Sequence, residues 1–286
     1  MDFATKQEVY LCSNAGCKHN KADCPSVFLM DEFPLYASGI FVYGDKLYVL
    51  SKESDNEGSV TQDLVVSSDD AAVETEAAKA VLYEMNLDGT NRQKVFTFDA
   101  GLTVEDVVLG DESGLYFVTK KLSNTMGEGN NSVTTSTDRK LVFWNKSTQK
   151  AEDICSLYFE DGIIWKIIGC MDHALVLSGT DYGKALTTDD YTKSDDDWNN
   201  MYKNSSDVVA TLDLNTKTLD EKYRMDNVTL HSIAVMDGNL YVSNSDTGEI
   251  KAVDLETKEE KLLCTLAQNY IMNTFAHVLY CDTWKD

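Results

Sequence analysis

Leu230-His-Ser-Ile-Ala-Val-Met-Asp-Gly-Asn-Leu-Tyr-Val-Ser243 consists of two short apolar, β-branched and aromatic runs around an Asp-Gly turn. This pattern predicts a β-hairpin. A second hairpin is predicted for Asp254-Leu-Glu-Thr-Lys-Glu-Glu-Lys-Leu-Leu-Cys264, because an opening Asp can hydrogen-bond the backbone of its own turn. Two successive hairpins make a four-stranded antiparallel unit.

Both kinds of hairpin recur along the chain. Further copies of the first kind begin at Ile40, Val104, Ile164 and Tyr270. Further copies of the second begin at Asp2, Asn86, Asn145 and Asp213. The Tyr270 copy lacks a Gly/Asp turn, and the Asn86 copy has a shifted turn. Four-stranded units repeated along a chain are typical of β-propellers.

We therefore predict an all-β fold, a β-propeller of four-stranded blades with five repeat units, either five-bladed or a slice of a larger propeller. All 286 residues are expected to form a single domain. The predicted blades are approximately 36–98, 102–157, 162–225, 229–266, and a closing blade from 268–286 plus 1–12. A strand is missing before Asp2, so the closing blade has three strands or the chain continues. Only Asp69–Ala80, rich in Ala and Glu, predicts a short helix.

Charge narrows the possible partners. The chain has 48 acidic and 25 basic residues, a net charge of -23. Nucleic acid and anionic membrane surfaces would be repelled, which leaves carbohydrate, peptide or protein ligands, cations and metals. The apolar runs are strand-sized, so no transmembrane segment is predicted. We expect a monomer.

Long connections indicate where ligands bind. Naming the strands of a blade a to d from the axis outward, the b-to-c and d-to-a connections emerge on one face. Three long b-to-c connections are predicted: Ser51–Lys79, Lys120–Arg139 and Gly179–Asp207. A d-to-a connection follows Cys12 and carries a Cys/His cluster. Long loops tend to carry function, so this face is the predicted binding surface.

The third long connection combines aromatic and acidic residues. Its candidate binding residues are Tyr182, Tyr191, Asp195, Asp196, Asp197, Trp198 and Tyr202. Exposed rings beside carboxylates suit a sugar, which stacks on the rings and donates hydroxyl hydrogen bonds. The alternative is a self-packed loop whose rings form a small core of their own. The acidic run lacks the alternating spacing of a calcium-binding loop.

Cys12, Cys17, His19 and Cys24 form the cluster, with spacing C-x4-C-x-H-x4-C. These are the ligand types of a closed Cys3His zinc site, which would be structural. A Cys17–Cys24 disulfide is the competing interpretation. A third is that Cys12, which aligns with Cys155 and Cys264, is simply a small buried apolar residue.

Catalytic motifs are not recognisable. No Ser-His-Asp arrangement, Gly-rich phosphate loop or HExxH occurs. The preferred function is an extracellular binding or scaffold module. The alternatives are a glycan-active enzyme, with acidic residues such as Asp195–Asp197 in a central pocket, and a structural spacer.

The segment from Tyr10-Leu-Cys12 through Cys17-Lys-His19 to Cys24-Pro25 resembles the N-terminal signature of a family of propeller lipoproteins. These proteins, of unknown function, occur in anaerobic Gram-positive gut bacteria. Asn86-Leu-Asp-Gly-Thr-Asn91 is similar to repeats of that family and of TolB-like and YVTN-like propellers. The resemblance implies a cell-surface or secreted protein, lipid-anchored through a leader upstream of Met1. Because such bacteria rely little on disulfides, it also favours a metal for the cluster.

Overall fold

The structure, a computed structural model, describes fourteen segments of the chain. These are 12, 16–19, 24, 39–53, 79–105, 108–126, 132–171, 174–187, 190, 193–226, 232–244, 247–266, 270–275 and 278–283. The chain divides into two compact units. Unit 1 comprises Met1–Leu122 and Val142–Asp153, and unit 2 comprises Ser123–Leu141 and Ile154–Asp286.

Nineteen strands and one helix lie in the described segments. Blade 1 contains β1 (Ile40–Tyr43), β2 (Lys46–Glu53), β3 (Lys79–Asn86) and β4 (Gln93–Thr97). Blade 2 contains β5 (Leu102–Val104), β6 (Leu109–Gly110), β7 (Gly114–Met126), β8 (Ser132–Asn145) and β9 (Lys150–Ser156). Blade 3 contains β10 (Lys166–Met171), β11 (Ala174–Asp181), β12 (Ser206–Asp213) and β13 (Leu219–Asp226), with α1 (Asp195–Lys203) between β11 and β12. Blade 4 contains β14 (Ser232–Met236), β15 (Asn239–Ser243), β16 (Glu249–Asp254) and β17 (Glu260–Thr265); β18 (Tyr270–Phe275) and β19 (Val278–Thr283) follow.

Each blade is an antiparallel meander. In blades 1, 3 and 4 the strand order in the sheet is the order in the chain, and in blade 2 β5 and β6 share the inner position beside β7. Within unit 2 the inner strands β10, β14 and β18 lie side by side. The fold class is therefore the predicted one, an all-β β-propeller of four-stranded blades. Four blades and a fifth, two-stranded hairpin are found in the described part of the chain.

The a-b hairpin of blade 4 shows how the sequence produces the turn. Asp237 and Gly238 have φ of 51° and 78°, the left-handed pair that a two-residue hairpin turn requires. Met236 and Asn239 then pair directly, and the register runs on to Ser232 opposite Ser243.

The c-d turns confirm the repeat alignment in atomic detail. Asp213 Oδ1 accepts the backbone N–H groups of Asn215 and Thr216 at 2.7 and 2.8 Å. Asp254 does the same with Glu256 and Thr257, at 2.9 and 2.8 Å. In blade 2 the amide oxygen of Asn145 makes the equivalent pair of bonds. The fourth residue after the opening Asp or Asn is left-handed in all three turns, being Gln149, Lys217 and Lys258.

The turns at Asp213 and Asp254 predict that the protein is less stable at acidic pH. Backbone hydrogen bonds, first from Thr216 and from Thr257, lower the pKa of Asp213 and Asp254 below the ordinary 3.8. Because the folded-state pKa is depressed, the stabilisation is fully present above pH 3.8 and is lost as the pH falls through the lower folded-state value. We expect the thermal unfolding midpoint to fall as the pH drops below about 4.

A matched variant tests whether Asp213 and Asp254 cause the loss of stability in acid. The double substitution Asp213→Asn and Asp254→Asn keeps the acceptor oxygens, as Asn145 does naturally, and removes the titrating groups. Its midpoint should fall less between pH 6 and pH 3 than that of the parent chain. An equally steep fall in both proteins would show that other carboxylates dominate.

Successive blades pack their sheets face to face in each unit. In unit 1 a fully buried cluster includes Tyr48, Phe117 and Trp144, with the Tyr48 and Trp144 rings edge to face at 6.1 Å. In unit 2 Val176 and Val209 of blade 3 pack with Val253 of blade 4. Burying one such aliphatic side chain is worth about 1.5–3 kcal/mol, so these clusters dominate the stability of each unit.

Three local predictions need correction. Lys120–Arg139 is mostly strand, because β7 and β8 extend to Met126 and from Ser132. The predicted helix Asp69–Ala80 is wrong at Lys79 and Ala80, which belong to β3, and its other residues lie outside the described segments. A helix instead forms in the third long connection, where no helical period was recognised. No helix in the described segments is both long and apolar enough to cross a membrane.

Candidate functional site

The predicted Cys/His cluster is assembled in unit 1. The ligand atoms of Cys12, Cys17, His19 and Cys24 all lie within 4.8 Å of one another. The Sγ atoms of Cys17 and Cys24 are 3.6 Å apart, and Cys24 Sγ is 3.5 Å from His19 Nδ1. Cys24 is buried and the other three are half-buried. The group therefore offers three sulfurs and one imidazole nitrogen around one point.

These distances can be compared with a tetrahedral site. Zinc–sulfur bonds of about 2.3 Å and zinc–nitrogen bonds of about 2.0–2.1 Å give tetrahedral edges of about 3.8 Å and about 3.6 Å. Two of the six ligand–ligand distances, 3.6 Å from Cys17 Sγ to Cys24 Sγ and 3.5 Å from Cys24 Sγ to His19 Nδ1, are close to these values. A Cys17–Cys24 disulfide would need about 2.05 Å between the two sulfur atoms, which is much shorter than the observed 3.6 Å. The four groups can hold a metal ion.

The backbone around Cys17 turns tightly enough to bring the ligands together. Gly16 and His19 have φ of 77° and 50°, both left-handed. The His19 N–H points at Cys17 Sγ, 3.4 Å away, and so supplies a hydrogen bond to the sulfur. Residues 16–19 therefore turn around the Cys17 sulfur.

The interpretation of Cys12 as a small buried residue gains no support from its aligned partners. Cys264 is exposed and Cys155 is half-buried. Burial raises the pKa of the Cys155 thiol, which keeps it protonated near neutral pH.

The predicted aromatic and acidic residues lie on and around α1. Ser194 caps the helix: its hydroxyl accepts from the Asp197 N–H at 3.3 Å and donates to Asp197 Oδ2 at 2.7 Å. The acidic run Asp195–Asp197 is thus the first helical turn, where carboxylates are favoured by the helix dipole. It does not form a cation-binding loop. Asp196 and Asp197 are exposed.

Two of the predicted rings form a pair. The centroids of Tyr182 and Trp198 are 5.9 Å apart with the rings tilted by 40°, and both side chains are half-buried. Tyr202, at the end of α1, is also half-buried; burial and then the charge of Asp207 raise its pKa. Tyr191 and the side chain of Asp195 lie outside the described part of the structure.

Asp190, which sequence reasoning missed, holds this connection together. Its buried carboxylate accepts from Lys184 Nζ at 2.5 Å and from Lys193 Nζ at 2.7 Å. It also accepts from the N–H and hydroxyl of Thr187, both at 2.9 Å. The bonds from Lys184 and Lys193 hold the pKa of Asp190 well below its ordinary range. The sequence did contain an indication of these bonds, because Lys184, Thr187 and Lys193 all lie within six residues of Asp190.

A cavity was also missed. It measures about 200 Å³ and is lined by the end of β13 in blade 3 and by the β15–β16 connection in blade 4. Within unit 2, this is the same end of the strands as the β11–β12 connection that carries α1. Polar and apolar side chains share its wall, among them Tyr223, Asp226, Val242, Glu249 and Lys251.

Comparison with known proteins gives structural likeness only. No protein family matches the sequence, and no curated protein does. A Pyrococcus horikoshii acylaminoacyl peptidase is similar over 82% of this chain and 33% of its own, with 9% identity and a TM-score of 0.47. An oligogalacturonate lyase in complex with manganese is similar over 82% of this chain and 53% of its own, with 10% identity and a TM-score of 0.45. A Synechocystis apocarotenoid oxygenase is similar over 79% of this chain and 47% of its own, with 12% identity and a TM-score of 0.43.

The chain thus spans between a third and about half of the length of these three structures. At this level of similarity, no activity of theirs carries over to this chain.

Proposed function

We propose that this protein is an extracellular or cell-surface binding module that recognises carbohydrate through the connection carrying α1. The observation that supports this most is the half-buried Tyr182–Trp198 pair, in a connection that also carries the exposed residues Asp196 and Asp197. Ring faces pack on the apolar face of a sugar, and carboxylates accept hydrogen bonds from its hydroxyls. A peptide ligand with an apolar side chain is the alternative for the same rings.

Preorganisation supports a binding role for this connection. Asp190 fixes Lys184, Thr187 and Lys193 by four hydrogen bonds, and α1 begins at the Ser194 cap directly afterwards. A connection held in this way loses less conformational freedom when a ligand binds, which favours affinity.

The Cys/His centre has a separate role in this proposal. Cys12, Cys17, His19 and Cys24 would bind zinc as four protein ligands and leave no position for water, so the ion would be structural. It would hold the short segment from Gly16 to Cys24 in place. The proposed surface location, through a lipid-anchored leader upstream of Met1, rests on the resemblance of this segment to the propeller lipoproteins.

We expect Trp198→Ala to lower the affinity for a carbohydrate ligand by about 1–2 kcal/mol, or roughly ten-fold, because a ring stacked on the sugar is lost. A glycan array would identify the ligand, and calorimetry would measure the affinity. Tyr158→Ala is the matched control, since Tyr158 is an exposed ring outside this connection. A glycan signal equal in both variants, or no glycan signal at all, would count against sugar recognition here.

A further inference from the structure

Cys264 and Cys281 lie on two neighbouring sheets of unit 2. Cys264 is on β17, the outer strand of blade 4, and Cys281 is on β19 of the hairpin that follows. In the β16–β17 ladder Cys264 pairs with Ile250, and in the β18–β19 ladder Cys281 pairs with Met272. Directly paired residues of an antiparallel sheet project from the same face. Each cysteine therefore shares a face with its partner.

The two faces that carry these cysteines meet. Ile250 and Met272 are buried in one cluster, and Cys281 packs against that cluster. The Met272 N–H also donates to Ser232 Oγ at 3.0 Å, which joins β18 to the inner strand of blade 4. The face of blade 4 that carries Cys264 therefore opposes the face of the hairpin that carries Cys281.

The preceding pair of blades shows the same two positions in contact. Tyr223 of β13 corresponds to Cys264, because each pairs with the residue of the third strand at which the register shifts. Val242 of β15 corresponds to Cys281, because each is the fourth residue of its strand. Tyr223 and Val242 pack in one cluster between blades 3 and 4. The equivalent pair, one blade further along, is Cys264 and Cys281.

Unit 1 repeats this relation between successive blades. Phe96 of β4 pairs with Leu82, where the register of blade 1 shifts, and Phe117 is the fourth residue of β7. Phe96 packs against the core cluster that contains Phe117. Both of these interfaces thus hold large side chains at the two positions, where blade 4 and the last hairpin hold two thiols.

The two thiols differ in access and acidity. Cys264 is exposed, whereas Cys281 is half-buried. Burial, and then the charge of Cys264, raise the pKa of Cys281 above its ordinary 9.0. A like charge acts in this way between groups that share a site, which agrees with the facing positions of the two cysteines. Cys264 is therefore the thiol that a reagent in solution reaches first.

We propose that Cys264 and Cys281 are an oxidation-sensitive pair, which a small-molecule disulfide converts into an intramolecular disulfide between blade 4 and the β18–β19 hairpin. The Cys264 thiolate attacks the reagent RSSR, which forms the mixed disulfide Cys264–SR and releases one RS⁻. Cys281 then loses its proton and attacks Cys264 Sγ, which forms the Cys264–Cys281 bond and releases the second RS⁻. The reagent gains the two electrons and two protons that the cysteines lose, and becomes two RSH.

The bond would stabilise the end of the repeat array. In the described part of the chain β18 and β19 form a two-stranded sheet, and a two-stranded hairpin is only marginally stable by itself. A covalent link to blade 4 restricts the hairpin after it has opened and so favours the closed state. The proposal is independent of the Cys/His cluster and of carbohydrate binding at α1, because it shares no residue with either.

The test treats the fully reduced chain with glutathione disulfide, blocks the remaining thiols with iodoacetamide and maps the peptides. Trypsin leaves both cysteines on one peptide, 262–285, because no Lys or Arg lies between Lys261 and Lys285. This peptide should be unalkylated, free of glutathione and lighter than the dithiol by two hydrogens. Chymotrypsin, which cleaves after aromatic residues such as Tyr270, should give two peptides joined by one disulfide. A persistent glutathione adduct on Cys264, a dimer linked through Cys264, or two alkylated thiols would each overturn the proposal.

Variants separate the two steps. Cys281→Ser leaves the exposed thiol without its partner, so oxidation should stop at a glutathione adduct on Cys264. Cys170→Ser is the matched control, since it removes an exposed thiol on β10 and should form the bond as the parent chain does. Hydrogen exchange of the β18 and β19 amides should slow on oxidation of the parent chain and stay unchanged in Cys281→Ser. An adduct no more persistent in Cys281→Ser than in the parent chain would contradict the role of Cys281.

Discussion

Purified protein is expected to carry one zinc ion per chain and to lose it when Cys24 is replaced by serine. The Cys24 sulfur lies 3.6 Å from Cys17 Sγ and 3.5 Å from His19 Nδ1, and Cys24 is buried. A serine hydroxyl is a poor zinc ligand at neutral pH. Structural zinc sites in small peptides bind with about 10–16 kcal/mol, so the loss of one of the four ligands should lower the affinity for zinc strongly.

Elemental analysis with a thiol count before and after chelation measures this effect. Thiols of Cys12, Cys17 and Cys24 should react only after the chelator has removed the metal. Cys170→Ser is the matched control, because Cys170 is an exposed thiol on β10 and should leave the zinc content unchanged. A metal-free protein with two thiols fewer than seven would instead indicate the disulfide.

Gly248→Ala is expected to be strongly destabilising, by about 3–5 kcal/mol. Gly248 has φ of 73°, and a Cβ built there would lie 2.0 Å from the Leu266 carbonyl oxygen. Because that oxygen belongs to the backbone, Leu266 must move, which also strains the 2.8 Å bond from its N–H to the Gly248 carbonyl. The β15–β16 connection that lines the cavity would be displaced with it.

Gly238→Ala separates the two causes of the expected destabilisation, which are the left-handed backbone conformation and the contact with the Leu266 carbonyl oxygen. Gly238 has nearly the same φ, 78°, but nothing lies within 4 Å of the position of its Cβ. Its substitution should therefore cost only the left-handed strain of about 1–2 kcal/mol. Denaturant unfolding of both variants measures the difference, and equal losses of stability would show that the contact with Leu266 is relieved at little cost.

The fold class could be predicted because each blade is specified by local sequence. Asp237-Gly238 sets a hairpin turn, and Asp213 and Asp254 each accept the backbone N–H groups of their own turn. The prediction of a long connection at Lys120–Arg139 was wrong, because polar residues there belong to long strands. Polar composition suggested a loop, but the pairing of β7 with β8 decides the structure there.

The site was predictable only in part, for a similar reason. The Cys/His cluster lies within thirteen residues, so its spacing alone brought the ligands together. The start of α1 was not predicted, although Ser194 and Asp197 have the spacing of a helix cap. The cavity was not predictable, since its lining residues come from two blades that are separate in the sequence.

The meander order of the blades also bears on how quickly the protein folds. Each strand pairs with its neighbours in the chain, so most strand pairings join segments that are close in sequence and cost little loop-closure entropy. The exceptions are the β2–β3 and β11–β12 pairings, whose strands are joined by long connections. Folding should therefore be faster than in all-β proteins with distant strand pairings. During synthesis, each blade can form as soon as its fourth strand has left the ribosome, ahead of the blades that follow.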